Sequence, residues 1–123
     1  MIKINDKKKG GEMMEKVKIV DKTCFVPGLS SNGGCYKKWA VYKRVGDDKF
    51  EITYGSSAEF DFCSITGLYE SCFDCPWNED GECVGKPEVV DEATVNKAIG
   101  YAETHMDERH HPDAVGGYDV IIE

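Results

Sequence analysis

The sequence predicts an α+β fold: a small antiparallel sheet of three to five strands, one packed helix over about residues 92–109, and a cysteine-rich loop insertion. Three observations predict it. Two alternating polar–apolar stretches meet at a short turn, one long segment repeats apolar residues at helical spacing, and residues 55–88 between them carry four cysteines without sustained periodicity.

The first strand is Lys16 to Asp21, where Val17 and Ile19 alternate with lysines and point inward. Pro27 to Gly34 is dense in turn formers and reads as an exposed loop. Residues 38–45 alternate again, with Trp39, Val41 and Val45 on the expected inward face and Lys38, Ala40, Tyr42 and Arg44 on the other. Gly46-Asp47-Asp48-Lys49 makes a hairpin turn, after which Phe50, Ile52 and Tyr54 continue the inward face. Glu59 to Phe62 fits either a strand or, with Ser56 and Glu59 as a capping box, a short helix ended by Gly67. The clear helix opens at Asp91, whose carboxylate can cap the first turn, with Val90 and Val95 spaced as a hydrophobic staple. Val95, Ala98, Ile99, Ala102 and Met106 form its apolar stripe, and Arg109, His110 and His111 suit the negative end of its dipole. Pro112 stops it, and Tyr118 to Ile122 closes the chain as a strand.

At 123 residues the chain has room for one core, so residues 13–123 are expected to form a single domain. Residues 1–12 read as a disordered or spurious leader. Lys8-Lys9-Gly10-Gly11-Glu12-Met13 can be encoded by codons containing a bacterial ribosome-binding sequence, which places a start at Met13 or Met14. No long apolar run suggests a membrane span or a secretory signal, so the expected compartment is cytoplasmic and the six cysteines read as thiols or ligands. A formal charge of −8 disfavours direct nucleic-acid binding and favours a basic protein partner.

Cys63, Cys72, Cys75 and Cys83 are the candidate metal ligands, spaced C-x8-C-x2-C-x7-C. A C-x2-C turn can put two thiolates on one ion, and two more complete a tetrahedral Zn2+ site. An iron–sulfur cluster is the alternative, since Pro76 follows Cys75; buried thiols or disulfides without metal are another. Cys24 and Cys35 flank the glycine-rich loop as further ligands, a pair, or small hydrophobes. Tyr69, Phe73 and Trp77 lie among Glu70, Asp74, Glu79, Asp80 and Glu82, an aromatic centre with an acidic rim that suits a protein interface. A second polar cluster is His105, His110 and His111 with Asp107, Glu108 and Asp113, able in principle to bind metal or exchange protons, though His110 and His111 also suit plain helix-end capping; Tyr101, Glu103 and His105 are the candidate groups of a pocket between sheet and helix.

No nucleotide-binding P-loop, Gly-x-Ser-x-Gly or His-Glu-x-x-His motif is present. A Cys–His dyad is a matter of neighbours in space that spacing does not reveal. The expected function is therefore a small acidic interaction module with a structural four-cysteine metal site, inhibiting a basic nucleic-acid-handling partner in the manner of a phage or mobile-element counter-defence protein. Two alternatives stand beside it: a small-molecule binder or enzyme with a pocket between sheet and helix, and a metal or redox sensor.

Overall fold

A computed structural model describes residues 14–28, 36–57, 63–67 and 76–123. Among these, seven strands and one helix follow in chain order: β1 (Lys16–Asp21), β2 (Lys38–Gly46), β3 (Lys49–Ser56), β4 (Asn78–Glu79), β5 (Glu82–Cys83), β6 (Glu88–Val90), α1 (Glu92–Thr104) and β7 (Tyr118–Ile122). Five of the strands form one antiparallel sheet in the order β6-β3-β2-β1-β7, and β4 pairs with β5 as a separate hairpin. The α+β architecture is the expected one, with the edge strand β6 added to the elements the sequence marks.

One expectation about β2 is reversed. The strands pair Tyr42 with Ile52 and Arg44 with Phe50, but Gly46 with Lys49, so β2 carries one extra residue, Val45, as a bulge. A bulge-free turn would have put Trp39, Val41 and Val45 beside Phe50 and Ile52. The inserted residue shifts the pairing by one, and in a pleated strand that exchanges the two faces. Tyr42 and Arg44 therefore stand on the helix side with Phe50, Ile52 and Val17, whereas Trp39, Val41 and Val45 lie on the open side. There Lys18 stacks over the Trp39 ring at 4.5 Å, and a Cβ on Gly55 would overlap that ring.

The core is Met14, Val17, Phe50, Val95 and Ile99, with Tyr42, Ile19, Val90, Val120 and Ile122 packed around it. Arg44 belongs to this layer. Its guanidinium lies 4.6 Å from the Phe50 ring centre, donates from Nε to the Met14 carbonyl at 2.7 Å, and meets the Glu92 carboxylate at 3.2 Å.

The helix begins as the sequence predicts. Asp91 Oδ1 accepts the Thr94 amide at 2.9 Å, and Asp48 from the β2–β3 turn accepts the Glu92 amide, also at 2.9 Å. It ends earlier than expected, at Thr104, where the His105 amide donates to Ala102 O at 3.1 Å. Its buried stripe is only Val95, Ile99 and Ala102, and Met106 is exposed, so no burial supports further turns. Arg109, His110 and His111 thus stand beyond the helix and do not complement its dipole.

From its start beside the β2–β3 turn, α1 crosses the sheet diagonally towards Tyr118 at the start of β7. Thirteen residues reach about 20 Å, roughly the width of five strands, so a diagonal helix leaves one corner of the sheet without a helix over it among the described residues. That corner lies over the start of β2 and the end of β3. No helix among the described residues is long and apolar enough to cross a membrane.

Candidate functional site

The corner that α1 does not reach holds a cavity of about 330 Å³. Two rows of the sheet floor make it. Ile19, Ala40 and Tyr54 lie in register across β1, β2 and β3, and Tyr118, Asp21 and Lys38 form the next row across β7, β1 and β2. Thr66 and Gly67 supply a rim from the short turn after Cys63. That turn is anchored to the sheet: Tyr54 N–H donates to Ser64 O at 2.8 Å, and Gly67 lies close against the Tyr54 ring. The walls are thus apolar and aromatic, while Asp21, Lys38, Thr66 and the two phenols bring polar groups to one end, the usual make-up of a small-ligand site.

The phenols are held neutral. Burial, then the carboxylate of Asp21, then Tyr101 and Glu108 push Tyr118 from 10.0 up to about 12. Burial, then Glu88, raises Tyr54 as well. Both hydroxyls therefore remain donors at neutral pH. Because the folded value of Tyr118 exceeds its unfolded value, its contribution to stability is complete below pH 10 and is lost as pH rises through about 12. Alkaline denaturation followed by far-UV circular dichroism is expected to show this loss, with a smaller loss in Tyr118→Phe.

The polar residues singled out by sequence surround this site without lining it. Tyr101 and His105 stack at 3.9 Å between centroids, and Tyr118 meets Tyr101 edge-on at 5.7 Å. His105 Nδ1 lies 2.7 Å from Tyr101 O, so this ring finishes the helix. His111 Nδ1 accepts the Asp113 amide, and Glu103 is half-buried on α1. His110 contacts Cys24 and Glu108 instead. The pocket residues Asp21, Lys38, Ala40 and Tyr118 escaped sequence reasoning because their shared property, a place at the corner α1 does not reach, arises only from the register and the short helix. The stripe of α1 gave no signal, because Met106 continues it in sequence.

Of the four candidate metal ligands, Cys63 and Cys83 are described, and Cys72 and Cys75 lie outside the described residues. Cys63 Sγ accepts the amides of Ile65 and Thr66 at 3.4 Å each. Burial pushes this thiol up, but the amides of Thr66 and Ile65, the Thr66 hydroxyl and the Gly67 amide outweigh it and lower it. Amide donation of this kind stabilises a thiolate. Cys83 is exposed on β5 opposite Asn78. Among the described residues no three His, Cys, Asp or Glu side chains are grouped as metal ligands would be.

The β4–β5 hairpin turns at Asp80 and Gly81, both with positive φ (53° and 85°), the turn that matches strand twist. It pairs Glu79 with Glu82, so these two acids and Asp80 share one exposed tip. Trp77 at its base is 41% exposed and covers Gly85. Tyr69 and Phe73, the other aromatics of the expected interface, lie outside the described residues, as do the expected leader, most of the glycine loop with Cys35, and the Glu59 to Phe62 segment. Searches against protein-family models, curated proteins and solved structures find no match to this chain.

Proposed function

We propose that this protein binds a small molecule with a flat apolar body and one polar end, in the corner pocket beside α1. The observation that carries the reading is the cavity of about 330 Å³ walled by Ile19, Ala40, Tyr54 and Tyr118, with Asp21 and Lys38 in register at its mouth. This volume sits at the lower end of the range for small-ligand sites. Asp21 is already oriented, since its Oδ1 accepts both the amide and the hydroxyl of Thr23 at 2.9 and 2.7 Å. The ligand's apolar body would lie on the Ile19–Ala40–Tyr54 row, and its polar end would meet Asp21, Lys38 and the neutral phenol of Tyr118.

The test uses the fluorescent probe 1-anilinonaphthalene-8-sulfonate. Wild-type protein is expected to give one saturable site, and Ala40→Phe, which fills the cavity floor, to raise Kd about tenfold or more. Val41→Lys, on the opposite side of the same strand, should leave binding unchanged. Equal binding by the wild type and Ala40→Phe contradicts the reading, provided both give the same circular dichroism.

A second reading is favoured by the hairpin tip. Its exposed Glu79, Asp80 and Glu82, with Trp77 at the base, would engage a basic protein surface. In this reading Cys63, Cys72, Cys75 and Cys83 would hold Zn2+ or an iron–sulfur cluster, and the amide-capped Cys63 Sγ is suited to be a thiolate ligand. Salt-sensitive adsorption to an immobilised basic protein should fall after charge reversal at all three acids; unchanged adsorption rejects it.

A further inference from the structure

Next to Asp21 and Tyr118 of the pocket wall, but lining none of it, two remote parts of the chain meet at a thiol, an imidazole and a carboxylate. Cys24, in the turn after β1, places its Sγ 3.9 Å from His110 Nδ1. The other ring nitrogen, Nε2, lies 3.1 Å from Glu108 Oε2. The backbone holds both parts in place on either side of the contact. His110 N–H donates to Thr23 O, Val115 N–H to Phe25 O and Lys22 N–H to Gly117 O, each at 2.8 Å. Thr23 is buried and fixed by Asp21. Glu108 is fixed through its own backbone, its amide donating to His105 O at 3.2 Å and its carbonyl accepting the Gly117 amide.

The order of contacts determines the chemistry. With its proton on Nε2 and donated to Glu108, neutral His110 presents the lone pair of Nδ1 to the thiol. It is then a base for Cys24, and Glu108 stabilises the imidazolium that forms. Glu108 Oε1 is buried and has no hydrogen-bond partner among the described residues, which increases the preference of this carboxylate for a cationic neighbour. Cys24 is half-buried and the His110 side chain is 55% exposed, so the pair stands at the surface. Among the described residues, the other charged groups near the contact are Asp21 at Thr23, Arg109 against Gly116, and Lys37 over the Phe25 ring.

We propose that Cys24 is a nucleophile activated by His110, with Glu108 as its positioning residue, and that it accepts an acyl group from an activated ester or thioester. The thiol proton passes to His110 Nδ1 and the sulfur bonds to the carbonyl carbon. The bond to the leaving group then breaks, and the alcohol or thiol departs with the proton from His110. The product is a thioester on Cys24, formed with no change in oxidation state.

Two measurements on the reduced full-length chain test this. Cys24 alkylation by iodoacetamide is followed by peptide mass mapping across pH 5–10, with Cys83 as an exposed thiol in the same sample. At pH 7 the wild-type rate at Cys24 is expected to exceed that in His110→Gln about tenfold, and Glu108→Gln to move the pH profile upward. Treatment with p-nitrophenyl acetate should leave an acetyl group on Cys24, located by peptide mass mapping and absent in Cys24→Ser and His110→Gln, and the nitrophenolate released should fall by one equivalent in those variants. Unchanged Cys83 rates control for reagent and pH, and circular dichroism matching the wild type establishes that the variants fold. The proposal is overturned if Cys24 reacts alike in wild type, His110→Gln and Glu108→Gln, or if no acetyl group appears on it.

Discussion

Replacing Arg44 with alanine is expected to lower the unfolding free energy by about 2–3 kcal/mol, less than the roughly 3–5 kcal/mol for breaking a fully buried ion pair because the Glu92 side chain is 28% exposed. The Arg44 side chain is 8% exposed and joins four parts of the fold. It meets Glu92 at the start of α1, the Met14 carbonyl ahead of β1, the Asp47 carbonyl in the hairpin turn at 2.7 Å, and the ring of Phe50. Alanine leaves the Met14 carbonyl without its donor and uncovers Phe50. Lysine retains the charge but lacks the planar fork that serves several acceptors at once, so Arg44→Lys should recover less than half of the loss. Urea unfolding provides the check: the midpoint falls at constant slope. A loss under about 1 kcal/mol, the size of a surface pair, would place Arg44 on the open side of the sheet.

Gly117→Ala is expected to cost about 3 kcal/mol or more, from backbone strain and overpacking together. Gly117 is buried at φ +57°, and a Cβ there would overlap the Met106 carbonyl. Its amide donates to Glu108 O and its carbonyl accepts the Lys22 amide, so the segment carrying Glu108 and His110 is held to the β1 turn through this residue. Moving it disturbs both. Gly28→Ala is the control: φ is +81° but no atom of the described residues lies within 4 Å of the new Cβ, so only the strain remains. Comparable losses at the two sites in urea unfolding would contradict the close approach at Met106.

What could be read from the sequence was local. Val17 and Ile19 mark β1 by simple alternation, and Asp91 marks the start of α1 because a cap needs only its own first turn. Phe50 and Ile52 face the core as expected. The exchange of faces in β2 was not legible, because Val45 fits an alternating strand as well as a bulge, and only the pairing with β3 decides between them. For the same reason Arg44 looked like a solvated charge rather than a buried link. The end of α1 was hidden because Met106 continues the apolar stripe in sequence but stays exposed once the chain turns towards β7. The metal-ligand spacing was legible as a pattern, yet Cys72 and Cys75 lie outside the described residues, and only the Cys63 turn bears on it. The Cys24–His110 contact spans 86 residues, and no local pattern encodes it.

The pocket, the buried guanidinium and the half-buried Trp39 on the open side all follow from the one-residue shift at Val45, so the pairing of β2 is the point to measure. Two-dimensional nuclear Overhauser spectroscopy tests it directly. Cross-peaks are expected from the Tyr42 ring to the methyl groups of the buried cluster of Val17, Val95 and Ile99, and from the Trp39 indole to Gly55 Hα and the Lys18 methylenes. Cross-peaks from Trp39 or Val41 to Val95 and Ile99 would mean that β2 pairs without the bulge, and the floor of the pocket would then be turned to the other side of the sheet.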